Sequence, residues 1–159
     1  MKKNSIYKIV AFLLFIIAAI NVRAQNDEAT IKNIVESQHF IFKAQQALPS
    51  GAASRQLEGN YYDVKVLKDS VIAFLPYFGR AYSVTTYPSD GGIKFTSVKF
   101  NYKISKGKKG GWDISIKPDD AINTRELSLS ISASGSATLQ VISDNRQPIS
   151  FYGYVTELK

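Results

Sequence analysis

From Tyr62 to Val155, apolar residues recur at every second position in short runs, and each run stops at a cluster of turn-forming residues. Tyr62, Val64 and Val66 alternate with Asp63 and Lys65. Lys68-Asp69 makes a turn, and Val71, Ala73 and Leu75 carry the next strand up to Pro76. Residues 81–86 fit a further short strand before Ser89-Asp90-Gly91-Gly92, which reads as a turn. A long hairpin follows. Val98, Phe100, Tyr102 and Ile104 share one face, and Lys99, Asn101 and Lys103 share the other. The stretch Lys106-Gly107-Lys108-Lys109-Gly110-Gly111 reverses the chain, and Trp112, Ile114 and Ile116 repeat the apolar face on the way back. Leu127, Leu129 and Ile131 then alternate with Ser128, Ser130 and Ser132. Ser134-Gly135 turns the chain into Ala137, Leu139 and Val141. After the connection Asp144-Asn145-Arg146-Gln147-Pro148, the strand of Ile149, Phe151, Gly153 and Val155 closes the domain. Period-two alternation of this kind predicts antiparallel strands with one face in a core and one face in water.

The first part of the chain has a different rhythm. Ile31, Ile34, Val35 and Gln38 are spaced by three and four, which predicts one amphipathic helix over 26–38. Asn26 or Asp27 can cap it, and Asp27 and Glu28 suit the positive end of the helix dipole. Phe40, Phe42 and Ala44 alternate with Ile41, Lys43 and Gln45, so a strand over 39–46 follows. Residues 49–57 read as a loop. The predicted fold is mainly β: an antiparallel β-sandwich or barrel of eight or nine short strands with one N-terminal α-helix, which plugs one end or lies along one side.

The N-terminus changes this picture most. Lys2, Lys3 and Lys8 precede an apolar run from Ile9 to Ile20, and Asn21-Val22-Arg23-Ala24 closes it with small residues at Val22 and Ala24. These are the three parts of a cleavable signal peptide. The twelve apolar residues make about 18 Å of helix, short of a hydrocarbon core of about 30 Å. Residues 1–24 are therefore read as a signal peptide, with cleavage after Ala24, and 25–159 as a single β-rich domain. The expected location is periplasmic or secreted, with no stable membrane span in the mature form.

Composition follows from that reading. The whole chain carries +7, with 20 basic and 13 acidic residues. Four of the basic residues lie in 1–24, so the domain itself is near +3, too modest to indicate nucleic acid. Lys103, Lys106, Lys108 and Lys109 fit a solvated hairpin tip. The chain has no cysteine, which removes lipid attachment at the cleavage point, disulfides and thiolate chemistry. The core must hold the fold without staples.

Candidate chemistry is sparse. There is one histidine, His39, so a zinc site would need several carboxylates gathered around it, and no spacing suggests them. Asp119, Asp120 and Asp144 offer oxygen ligands but no calcium-loop pattern. The serines alternate outward in strands, with no Gly-x-Ser-x-Gly elbow. Glu58, Asp63, Asp113 and Glu126 read as solvated surface instead of a paired-carboxylate cleft. Gly107 to Gly111 joins strand to strand, so it lacks the helix N-terminus of a phosphate cradle. The expectation is no catalytic residue, no metal and no cofactor.

The stretch Leu75-Pro76-Tyr77-Phe78-Gly79-Arg80-Ala81-Tyr82 stands apart. Proline breaks the ladder, glycine permits a positive φ, and aromatics flank an arginine. It reads either as a folded corner, with Tyr77 and Phe78 capping the core and Arg80 stacked on a ring, or as a patch that meets a ligand or partner. Arg146 raises the same question, since it can pair with Asp144 or with an acidic ligand. In the last strand Tyr152 and Tyr154 oppose Phe151 and Val155, so both faces carry rings, as in a strand covered on both sides.

These stretches also carry a resemblance. Residues 75–82, with Gly91-Gly92-Ile93-Lys94-Phe95, Lys109-Gly110-Gly111-Trp112 and residues 145–153, resemble the motifs of the family called domain of unknown function 4251. The resemblance runs from about Phe40 to Tyr154. It implies a small secreted or periplasmic protein of Gram-negative bacteria, and it implies no activity and no catalytic residues. The expected function is a non-enzymatic binding or interaction domain acting through Tyr77, Phe78, Arg80, Tyr82 and Arg146. Its partner would be an apolar ligand inside a barrel or an envelope protein. The rivals are an envelope hydrolase with a site near His39 and a structural envelope-assembly factor with no small ligand.

Overall fold

A computed structural model describes residues 28–82, 91–107 and 110–158. Residues 1–24, the start of the predicted helix, most of the predicted strand over 81–86, and Lys108 and Lys109 lie outside the described residues. Helix α1 covers residues 28–36. Ten strands follow: β1 (Phe40–Pro49), β2 (Arg55–Gln56), β3 (Asp63–Val66), β4 (Val71–Leu75), β5 (Ile93–Ser97), β6 (Phe100–Lys106), β7 (Trp112–Pro118), β8 (Thr124–Ile131), β9 (Ser136–Ser143) and β10 (Ile149–Glu157).

All pairings are antiparallel, in the order β5-β4-β3-β1-β10-β9-β8-β7-β6, with β2 attached to β1. The two ends of that order, β5 and β6, are consecutive in the chain and separated only by Val98 and Lys99. The sheet therefore curls until its edges meet in one bent run of chain, residues 93–106, and becomes a nearly closed barrel. Of the two architectures expected from the alternation, the barrel is the one formed.

The bend is fastened by side chains. Ser97, fully buried at the end of β5, donates its hydroxyl to Asp120, and its Oγ lies 3.0 Å from the Lys99 carbonyl, an alternative acceptor for the same proton. The same carboxylate accepts the Val98 and Lys99 amides at 3.0 and 3.2 Å. The Asp119 amide returns a bond to the Lys99 carbonyl at 2.8 Å. These bonds hold the Asp120 carboxyl below its ordinary value, the Ser97 hydroxyl contributing most.

Inside, the alternating faces converge. Phe40, Phe42, Phe151, Leu127, Leu139 and Ile149 are among the fully buried side chains of one continuous core. Each such side chain contributes roughly 1.5–3 kcal/mol by leaving water. Ile31, Ile34 and Val35 extend that core from α1, and the Tyr102 hydroxyl donates to the Val35 carbonyl at 3.1 Å. The helix thus packs against the barrel beside β6.

Several expectations change. The first strand runs to Pro49 instead of stopping near residue 46, because it pairs β3 on one side and nine positions of β10 on the other. The loop over 49–57 contains the two-residue strand β2. The hairpin face is interrupted: Val98 lies in the bend, not in the strand, and Ile104 is 40% exposed. Among the described residues β6 has β7 as its only strand neighbour, so its apolar face is covered incompletely. Tyr152 is 51% exposed and Tyr154 is half-buried, so the outer rings of β10 remain at the surface.

One glycine records how tightly the wall is built. A Cβ on Gly153 would run into the Lys43 carbonyl of β1, so only glycine lets the two backbones approach this closely. No helix among the described residues is long and apolar enough to cross a membrane.

Candidate functional site

Three connections meet at one end of the barrel: residues 50–54 after β1, residues 76–82 after β4, and residues 144–148 before β10. Ser50 Oγ donates to the Pro148 carbonyl at 2.8 Å. Ala81 bridges Arg146 in antiparallel sense. The Tyr82 amide donates to Asn145 at 2.8 Å, and the Gln147 amide donates to Arg80 at 3.1 Å. The singled-out residues are thus brought together by backbone pairing between segments over sixty positions apart.

Their roles divide. Arg146 is the inner arginine. Its guanidinium lies 4.8 Å from the centroid of the Tyr77 ring, and Nη1 donates to the Gly91 and Gly92 carbonyls at 3.2 and 3.3 Å. Nε donates to Asn145 at 3.2 Å. Tyr77 Oη lies 3.0 Å from both the Arg80 and Gln147 carbonyls, and its single proton can serve either. Burial pushes the Tyr77 phenol above its ordinary value, and the neighbouring Arg146 charge acts against that rise. The phenol therefore stays protonated and keeps donating. Arg146, Tyr77 and Gly91-Gly92 form a clasp.

This arrangement corrects two expectations. Asp144 does not pair with Arg146: its carboxylate faces Arg125 at 3.6 Å on the surface. The arginine stacked on Tyr77 is Arg146, not Arg80. The Phe78 ring is also covered, by Arg55 at 4.8 Å. Arg55 escaped the sequence reading because it lies 23 positions away in a stretch without apolar periodicity. Its only local sign was a cation among small residues.

Gly79 has a different reason from the one expected. Its φ is outside the left-handed region, and a Cβ there would collide with the Tyr77 hydroxyl. The glycine makes room for the ring to fold back over the loop. With the inner members locked, the outer members are left to solvent: Arg80 is exposed, Tyr82 is 67% exposed, and Arg55 is exposed above Phe78.

The rival location is simpler. His39 is exposed at the junction of α1 and β1, and its amide donates to Ile34 at 3.1 Å. Among the described residues no carboxylate bonds its ring. No group of three or more potential metal ligands assembles among the described residues.

The four sequence motifs separate in space. Residues 75–82, 91–92 and 145–148 meet in the clasp, whereas Gly110-Gly111-Trp112 lies beside α1 at the β6–β7 turn. A family model described as a domain of unknown function, DUF4251, matches residues 22–155. The chain belongs to the DUF4251 family. The barrel is also similar to a crystal structure of a DUF4251 family protein from Bacteroides eggerthii, with a TM-score of 0.57 and 14% identity over 82% of this chain and 87% of that one. At that identity the likeness shows the shared fold. No curated protein matches the chain.

Proposed function

We propose that this DUF4251 member is a non-enzymatic interaction domain of the cell envelope, exported under residues 1–24, and that the clasp end of the barrel is its contact surface. The observation that carries the reading is the division of labour among the arginines. Arg146 spends its donors inside the clasp, and that fixes a loop on which Arg80 and Tyr82 project outward. Arginine and tyrosine on a rigid frame are the residue types that dominate partner contacts. Two exposed guanidiniums, Arg55 and Arg80, suit an acidic protein surface.

The apolar-ligand version loses ground. Trp112, Leu129 and Phe151 are packed in one buried core, with Phe100 against it, where such a ligand would have to sit. The partner version is tested by purifying the chain from its own envelope and analysing it by native mass spectrometry. A co-purifying acidic protein lost on combined Arg80→Glu and Tyr82→Ala substitution supports the reading. Unchanged partners in that variant overturn the clasp end as the contact.

A further inference from the structure

A second surface lies on the outer face of β6 to β10. Every second residue from Ser128 to Ser136 is serine, and Thr138 continues the series. On β8 and β9 these positions face outward, and the strand register sets them in rows. One row runs Lys103, Ser115, Ser128, Gln140, Ser150. The next runs Ser105, Asp113, Ser130, Thr138, Tyr152. Rows two residues apart are separated by roughly 7 Å along the strands.

The small side chains leave a depression. An open trough of about 700 Å³ has Ser115, Ser128, Ser130 and Ser150 in its floor and Lys103 and Gln140 along it. Through Ser130 and Thr138 it continues into a second groove of about 490 Å³, bordered by Tyr152 and Gln45. Gln45 stands there at the irregularity of β1 between Ala44 and Gln46, a device that re-aims side chains.

The hydrogen-bonding state of the floor is mixed. Ser115 and Ser128 donate to Glu126 at 2.8 and 3.3 Å, so both present lone pairs outward. Glu126 is held ionised by these bonds, the Ser115 bond foremost, and Lys117 lies 3.6 Å away. Among the described residues no protein group bonds the side chains of Ser130, Thr138, Gln140 or Ser150. Their hydroxyls and amide are available as donors and acceptors. Charges balance: Lys103 and Asp113 supply one of each sign, and Lys117 neutralises Glu126.

We infer that this trough binds a neutral, extended oligosaccharide. A floor of serine and threonine hydroxyls and the Gln140 amide matches a chain of sugar hydroxyls, which both donate and accept. With Lys103 and Asp113 of opposite sign in its lining, the trough gives no net attraction to a charged ligand. Serine is a poor strand former compared with threonine or valine, so a purely solvated face had better choices. The exposed Tyr152 ring offers an apolar platform at one end for a sugar face.

The test is a ¹⁵N NMR titration of the purified chain with neutral hexasaccharides of glucose, mannose, xylose and N-acetylglucosamine, and with acidic hexagalacturonate. At least one neutral sugar should move the amides of 128–130, 138–140 and 150–152. Ser130→Tyr, which plants a strand-favouring ring in the floor, should weaken binding about tenfold or more. Thr138→Tyr should do the same and serves if the first variant misfolds. Tyr152→Ala should weaken binding by a smaller factor. The inference is overturned by any of four results: no shift with any neutral sugar, shifts confined to other strands, equal binding by the floor variants, or tighter binding of the acidic sugar.

Discussion

The two sides of this barrel are held by different forces. On one side β1, β10, β9 and β8 form a wall with nine paired positions between β1 and β10 alone, backed by fully buried Phe42, Leu127, Leu139 and Phe151. On the other, the chain bends at Val98-Lys99 and loops over 76–82 and 91–92. There side chains do the fastening: Asp120 at the bend, and Arg146 with Tyr77 at the clasp. Backbone ladders and apolar burial barely respond to pH. The carboxylate fastening does respond, and both it and the guanidinium fastening can be removed one at a time. The polar side also carries the exposed Arg80 and Tyr82.

The largest test of that contrast is Phe151→Ala. It should cost about 3–5 kcal/mol in urea denaturation, through lost burial and the cavity left behind. Gly153→Ala should cost about 1–3 kcal/mol, because the added Cβ forces β10 away from the Lys43 carbonyl. Arg146→Met keeps the stem and removes the charge. It should cost about 1–2 kcal/mol and loosen the clasp, read as faster hydrogen exchange at the Tyr82 and Gln147 amides. An Arg146→Met loss as large as that of Phe151→Ala would erase the distinction between the two sides.

The pH test addresses the bend. The Asp120 carboxyl is held below its ordinary value in the folded chain. Its contribution is therefore complete above the ordinary aspartate value of about 3.9, and it declines as pH falls through the lower native value. Thermal melts over that acid range should show a fall in Tm that Asp120→Asn reduces. Glu126 is shifted the same way but is retained in that variant, so the difference curve isolates the bend. The smallest effect on stability is Arg80→Ala, within about 0.5 kcal/mol, and the same substitution should reduce partner capture. A stability loss matching that of Arg146→Met would mean that Arg80 belongs to the clasp.

The contrast also explains what could be read in the sequence. On the wall, Leu127, Leu129 and Ile131 against Ser128 and Ser130 declare both strand and face, because a period of two is a local property. The same holds for the run 71–75, whereas in 62–66 Asp63, expected on the solvated surface, is buried with Lys43 at 2.6 Å. The order of strands was not legible: β1 meeting β10 is a choice among distant partners, and Phe40, Ile41 and Phe42 are all buried, which hides alternation. At the clasp, the unusual composition of 75–82 set the stretch apart from the strands. It did not show which arginine turns inward, since Arg55, Arg80 and Arg146 are chemically identical until the register of Ala81 with Arg146 is known.

The pairing of Phe40 with Glu157 has a kinetic consequence. Among the described strands β1 is made first: β2 and β3 pair one side of it early, but the other side waits for β10, so a chain without β10 cannot close the barrel. Contacts of such large sequence separation form slowly, because loop-closure entropy comes before any gain from packing. Under the export proposed above, this delay keeps the chain threadable until its final residues have crossed. A truncation before Ile149 removes β10 and leaves β1 with an open edge, exposed to pairing with other copies.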